Sequence, residues 1–168
     1  MKGIYLASFQ ANHPNHDIDY QDINGKRDLS DDMMDIDLTP YDYIIATPPC
    51  NYWSRANYRK NSEYSQMTKH LLPGILNKLL KINKPFIVEN VRSMRMFLEA
   101  GLYDLPLYVY HVGRHTYWTN VPFNPSNVYQ EYDFCYGGVQ RKPKTNRQGG
   151  NNVHNVIEYW LQIIKDQN

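Results

Sequence analysis

Only two cysteines, Cys50 and Cys135, occur in 168 residues. That is too few for a disulfide scaffold, so a reducing, cytoplasmic setting is expected. No apolar run approaches the roughly 20 residues that a membrane-spanning helix needs, and no membrane partner is expected. The opening MKGIYLASFQ holds a short apolar stretch without a small-residue cleavage pattern, and reads as a first strand rather than a signal peptide. Repeats, linkers and low-complexity tracts are absent, and the length suits one domain, residues 1–168, with one core. A charge excess is missing too: the formal net charge is +1.

The small total hides an uneven distribution. Residues 1–50 carry nine aspartates against Lys2, Lys26 and Arg27, whereas basic residues outnumber acidic ones in the rest of the chain. Such a split suits a basic face for nucleic acid, and clustering on solvated surface produces it equally well. Aromatic residues reach 14%, with fifteen tyrosines, enough to stack on bases as well as to fill a core.

Short apolar runs alternate with helical periods. Ile4–Phe9, Ile18–Ile23, Tyr43–Ala46, 85–88, Leu107–Val112 and 116–118 read as strands, the last two as a possible hairpin. Between Asn24-Gly25 and Pro40 the acidic stretch reads as loop or short helix. Residues 65–82 carry a helical period in which Pro73-Gly74 predicts a kink or a late start. A short helix near 93–100 should stop at Gly101, residues 121–152 read as loop, and Val153–Lys165 as a final amphipathic helix. The alternation predicts an α/β domain with a largely parallel sheet.

Two predicted strand ends carry chemistry. Ile44-Ile45-Ala46 runs into Thr47-Pro48-Pro49-Cys50, and Phe86-Ile87-Val88 into Glu89-Asn90-Val91. Open α/β sheets bind ligands beyond the carboxyl ends of their strands. A thiol and a carboxylate sent to one edge form a plausible reacting pair. Alone, Cys50 would pass for an inert buried thiol and Glu89 for a salt-bridge or cap residue.

Pro48-Pro49-Cys50 resembles the Pro-Cys motif of the C5-cytosine-specific DNA methyltransferases, and Glu89-Asn90-Val91 resembles their Glu-Asn-Val motif. Gly113-Arg114-His115-Thr116 is similar to the family's Arg-x-Arg strand, and Gly149-Gly150-Asn151-Asn152-Val153 to its late Gly-Asn-x-Val segment. The four stand in family order. The resemblance implies a Rossmann-like fold, S-adenosylmethionine as methyl donor, and DNA as partner, with the target cytosine flipped out or single-stranded. Cys50 would be the nucleophile that adds to cytosine C6, its pKa lowered by nearby cations such as Arg55 and Arg114. Glu89 would hold the N3 and amino edge, and Arg114 would position Glu89 or the base carbonyl. Pro49, Asn51, Arg55 and Asn90 are the implied substrate-binding residues, and Phe9, Asp22, Pro48 and Asn151 the implied cofactor-binding ones. A short chain of this type resembles proteins carried by bacterial viruses, which would place it in the cytoplasm of a bacterial host.

Several features depart from the family pattern. The glycine-rich turn after the first strand is missing: Ser8-Phe9 is followed by Gln10-Ala11-Asn12, and the next glycine is Gly25. The fold is thus expected to be truncated at its N-terminal cofactor motif, either with the first helix lost or with residues 4–23 matching the family's second strand. Thr116 replaces the second arginine of Arg-x-Arg. Only about thirty residues separate Asn120 from Gly149, too few for a DNA-reading domain. Residues 141–147, and Arg55, Arg59 and Lys60, are candidates for phosphate contacts. His13 and His16 have no further ligands nearby in sequence, and Cys135 with His154 has no recognised zinc spacing, so no metal is expected. Besides the enzyme, two other readings fit: a degenerate methyltransferase fold that binds DNA or a host protein, and one half of a split enzyme completed by a second chain.

Overall fold

A computed structural model describes residues 1–54, 59, 61–128 and 150–168. The apolar runs form one mixed sheet from β1 (Lys2–Leu6), β2 (Asp17–Tyr20), β3 (Tyr43–Ala46), β4 (Phe86–Val91), β5 (Tyr108–Val112) and β6 (His115–Thr119), in the order β2-β1-β3-β4-β6-β5. The first four strands are mutually parallel, whereas β6 runs antiparallel to both β4 and β5. The α/β expectation holds, and parallel pairing is limited to the first four of the six strands. The cause is local. Gly113, with φ of 59°, and Arg114 close a two-residue turn between Val112 and His115, so β6 must fold straight back along β5.

Alternation along the strands divides the core between two faces. Ile4, Leu6, Ile44, Ala46, Phe86, Val88 and Trp118 pack on one side with Leu72, Ile75, Leu76 and Leu79 of α2 (Leu71–Leu79). Tyr5, Tyr43, Ile45, Ile87 and Tyr117 pack on the other side with Val156, Ile157, Trp160 and Ile164 of the final helix, α4 (Gly150–Asp166).

The predicted 65–82 helix divides into α1 (Glu63–Thr68), capped by Ser62, and α2. Pro73 is the third residue of α2, where a backbone N–H has no intrahelical acceptor, so the late start explains it without a kink. α3 (Met94–Ala100) begins at its Ser93 cap and ends at Gly101, whose φ of 58° matches the expected stop.

The acidic segment forms turns instead of a helix. Asp32 and Asp37 accept from the N–H two residues on, while Met33, Ile36 and Leu38 are buried. Lys78 donates to the Met34 and Ile36 carbonyls, both at 2.8 Å, fastening this segment to α2. Between β1 and β2 no helix intervenes; the chain crosses as a loop. Among the described residues, no helix is long and apolar enough to cross a membrane.

Candidate active site

Because β1 to β4 are parallel, their carboxyl ends share one edge, and the antiparallel β6 contributes its first residue there, with His115 opposite Val91. This edge therefore gathers the turns after β1, β2 and β3, the end of β4 and the β5–β6 turn.

The Pro48-Pro49-Cys50 turn follows β3. Its backbone is tied to β4 by the buried Asn90, whose Nδ2 donates to the Pro48 carbonyl at 3.0 Å. Asn90 thus clamps together the two strand ends that carry the thiol and the carboxylate. Beyond Cys50 the chain turns sharply, and the Cys50 carbonyl accepts from the N–H groups of Trp53 at 3.0 Å and Ser54 at 2.8 Å. Trp53 and Tyr52 are buried behind this turn. Arg95 of α3 donates to the Tyr52 carbonyl at 3.1 Å and to its hydroxyl at 2.7 Å, and pairs with Glu99 at 2.7 Å. The α3 helix thereby braces the turn, a brace that i,i+4 spacing of Arg95 and Glu99 alone would not reveal.

Cys50 is a free thiol, partly buried. Burial first, and then the nearby Glu89 carboxylate, push its pKa up to about 11. This corrects the expectation of a lowered pKa. No cation among the described residues offsets those two effects, and Arg55, one of the two expected sources of positive charge, lies outside the described residues. The influence of Glu89 on the thiol is itself informative, because it puts carboxylate and sulfur in one electrostatic neighbourhood.

Glu89 is buried within β4 and faces the α4 side of the sheet, above Ile87 and beside Tyr117. Its Oε1 lies 2.6 Å from Nδ1 of His115, itself buried. Sequence reasoning expected Arg114 at Glu89 or at the base carbonyl. The side chain that hydrogen-bonds Glu89 is His115, one residue further. Arg114 occupies the hairpin turn, where its carbonyl accepts from Arg92 N–H at 2.7 Å. A signal for His115 did exist: alternation in β6 sends residues 115, 117 and 119 to one face and 116 and 118 to the other. Thr116, in the second-arginine position, lies on the far face and bonds His111 at 2.9 Å.

Phe9 and Asp22 also meet, as Asp22 Oδ2 accepts from Phe9 N–H at 3.0 Å and Oδ1 from Asn24 N–H at 3.1 Å. Ala7 and Phe9 have φ of 52° and 47°, the left-handed region that favours glycine. The turn after β1 thus takes a glycine-like path without glycine. It is held there by Gln21, whose Oε1 accepts from Ala7 N–H at 2.8 Å, and by Asp22. The Phe9 ring is 58% exposed, and Asp22 retains lone pairs after these bonds. Phe9 and Asp22 thus stand together beyond the carboxyl ends of β1 and β2.

The remaining predicted residues are dispersed. Asn51 follows the thiol in the turn, Pro48 is buried and Pro49 half-buried. Asn151 is in the first turn of α4, and Arg59 is exposed. Arg55, Lys60, Cys135 and the basic 141–147 stretch lie outside the described residues. His13 and His16, read from sequence as loop residues, meet His154 and Glu158 of α4, which come from the opposite end of the chain.

No curated protein matches the chain. The sequence model of the C-5 cytosine-specific DNA methylase family matches residues 1–99, a stretch that spans β1 to α3 and includes both Cys50 and Glu89, and the chain belongs to this family.

Proposed function

We propose that the chain transfers a methyl group to C5 of cytosine in DNA, with Cys50 as nucleophile and Glu89 as its partner acid. The observation that carries this reading is the joint arrival of thiol and carboxylate at one sheet edge, clamped by Asn90. Cytosine C5 is a weak nucleophile. Addition of the Cys50 sulfur to C6 moves a ring electron pair onto C5 and makes it enamine-like. Glu89 engages N3 and the exocyclic amine, protonating N3 or sharing its proton, which offsets the charge that builds on the ring. His115 holds Glu89 from behind and fixes which oxygen faces the base. Because C6 is inaccessible in a stacked duplex, the base enters flipped out or from a single strand. S-adenosylmethionine, when bound, would supply an electrophilic methyl group and leave as S-adenosylhomocysteine; loss of the C5 proton to a base then expels the Cys50 sulfur from C6 and restores the ring. Asp22 would accept from the cofactor's ribose hydroxyls, and Phe9 would cover its adenine beside Pro48.

The raised Cys50 pKa means the resting thiol is neutral at pH 7. Addition of the sulfur to C6 therefore requires loss of the thiol proton to a base, a role open to the Glu89 carboxylate, which then delivers a proton to N3. The full chain, incubated with S-adenosylmethionine and an oligonucleotide containing 5-fluorocytosine, should give an adduct stable to denaturing electrophoresis, and Cys50→Ser should abolish it. Absence of an adduct with the unaltered chain, on both single and double strands, would sink the proposal.

A second reading is favoured by the substituted turn at Ala7 and Phe9, where side chains stand at backbone positions that suit glycine. In that reading the domain binds DNA or a protein without turnover, or needs a second chain to complete its cofactor site. Thermal-shift measurements with S-adenosylmethionine separate the two: stabilisation of the isolated chain supports the enzyme.

A further inference from the structure

A second cluster of titratable side chains lies outside the residues used above and joins the two ends of the chain. His13 and His16 are on the loop between β1 and β2, whereas His154 and Glu158 stand one turn apart on α4. His13 is 1% exposed, and its Nδ1 lies 2.5 Å from Glu158 Oε1. His16 Nε2 lies 3.1 Å from the other oxygen, Oε2. The rings of His13 and His154 stack with centroids 4.6 Å apart and planes within 7°. One donor atom each from His13, His154 and Glu158 lies within 4.8 Å of the other two.

We propose that His13, His154 and Glu158 bind one divalent cation of the zinc class, with His16 steadying the carboxylate. Two imidazole nitrogens and a carboxylate oxygen form a donor set suited to zinc, which leaves the fourth position to water. Zinc bonds of about 2.0–2.2 Å need donors closer together than 4.8 Å, a gap that side-chain rotation can close.

The support around the site is also in place. The His13 N–H donates to the Tyr20 hydroxyl at 2.7 Å, and the His13 ring lies beside Tyr5, at 5.8 Å between centroids. The cation would fasten the helix-free β1–β2 loop, which starts with the Ala7–Phe9 turn, to α4. It is a structural clamp, and it stands whether or not the chain methylates DNA.

The test uses the full chain stripped with a chelator. Calorimetric titration with zinc sulfate should show one equivalent bound, with a rise in Tm. His154→Ala and Glu158→Gln, each confirmed as folded by circular dichroism, should weaken binding by more than the roughly 10–100-fold that an outer-shell partner is worth. Cobalt substituted for zinc should give visible bands without thiolate charge-transfer absorption, which separates this site from binding at Cys50 or Cys135. Less than one equivalent bound, affinity unchanged in both variants, or a thiolate band would overturn the assignment.

Discussion

At the scale of single residues, the site turns on how two acids influence each other. Burial first, and then the charge of Glu89, push the Cys50 thiol up to about 11. Removing that negative charge favours the thiolate, so Glu89→Gln should lower the thiol pKa. Because burial is the larger cause, the value should stay above the ordinary 9.0. The pH dependence of iodoacetamide alkylation, measured in a Cys135→Ser background, checks this. An unmoved midpoint in Glu89→Gln would show that the carboxylate does not reach the sulfur. Cys50 and Glu89 could be singled out in the sequence because each follows an apolar run and stands in a motif. For His115 alternation gave the face but not the partner, because it stands opposite Val91 and reaches Glu89 diagonally, a register set by where the hairpin turns.

At the scale of elements, close approach between neighbouring strands sets the sheet. A Cβ added at Gly3 of β1 would fall inside the ring of Tyr43 on β3, a buried residue with little room to move. Gly3→Ala should therefore destabilise the domain by about 2 kcal/mol, in the range typical of overpacked cores, read as a fall in the urea midpoint. Pairing it with Tyr43→Val should recover part of the loss, because the two changes share one space. Strand positions were readable from the apolar runs, and Tyr43–Ala46 is matched residue for residue. Strand ends were less so. β1 stops at Leu6, three residues before the predicted end, because Ala7 and Phe9 leave the extended region, which residue type alone did not signal. Sheet direction was half legible: apolar runs indicate burial, whereas the antiparallel β6 follows from a two-residue turn.

At the scale of the whole molecule, the contacts of greatest sequence separation tie the start of the chain to its end. His13 and Glu158 are 145 residues apart, and no spacing rule could have joined them. Burial lowers the pKa of His13, while its bonds from His13 and His16 hold Glu158 below the usual carboxylate range, against the effect of its partial burial. Both shifts act in the same direction. The unfolded chain takes up protons more readily than the folded one, so stability of the metal-free protein should fall as pH drops below about 6.5 and continue to fall through the carboxylate range. Thermal melts at pH 7.5 and 5.5 test this, and His13→Gln should flatten the upper part of the decline. The charge asymmetry read from composition also takes a definite form. Several N-terminal aspartates serve local structure, as when Asp19 pairs with Lys2 at 2.9 Å and Asp28 accepts from Tyr20 N–H at 2.8 Å.

The neighbouring strands β1, β3 and β4 also bear on how the protein forms in the cell. Their α4-side residues Tyr5, Ile45 and Ile87 are covered by a helix that begins only at residue 150. On the ribosome, that greasy surface stays bare until α4, residues 150–166, has been made. Nascent chains would spend this interval open to chaperones and to one another, and a stall before α4 is made would favour aggregation.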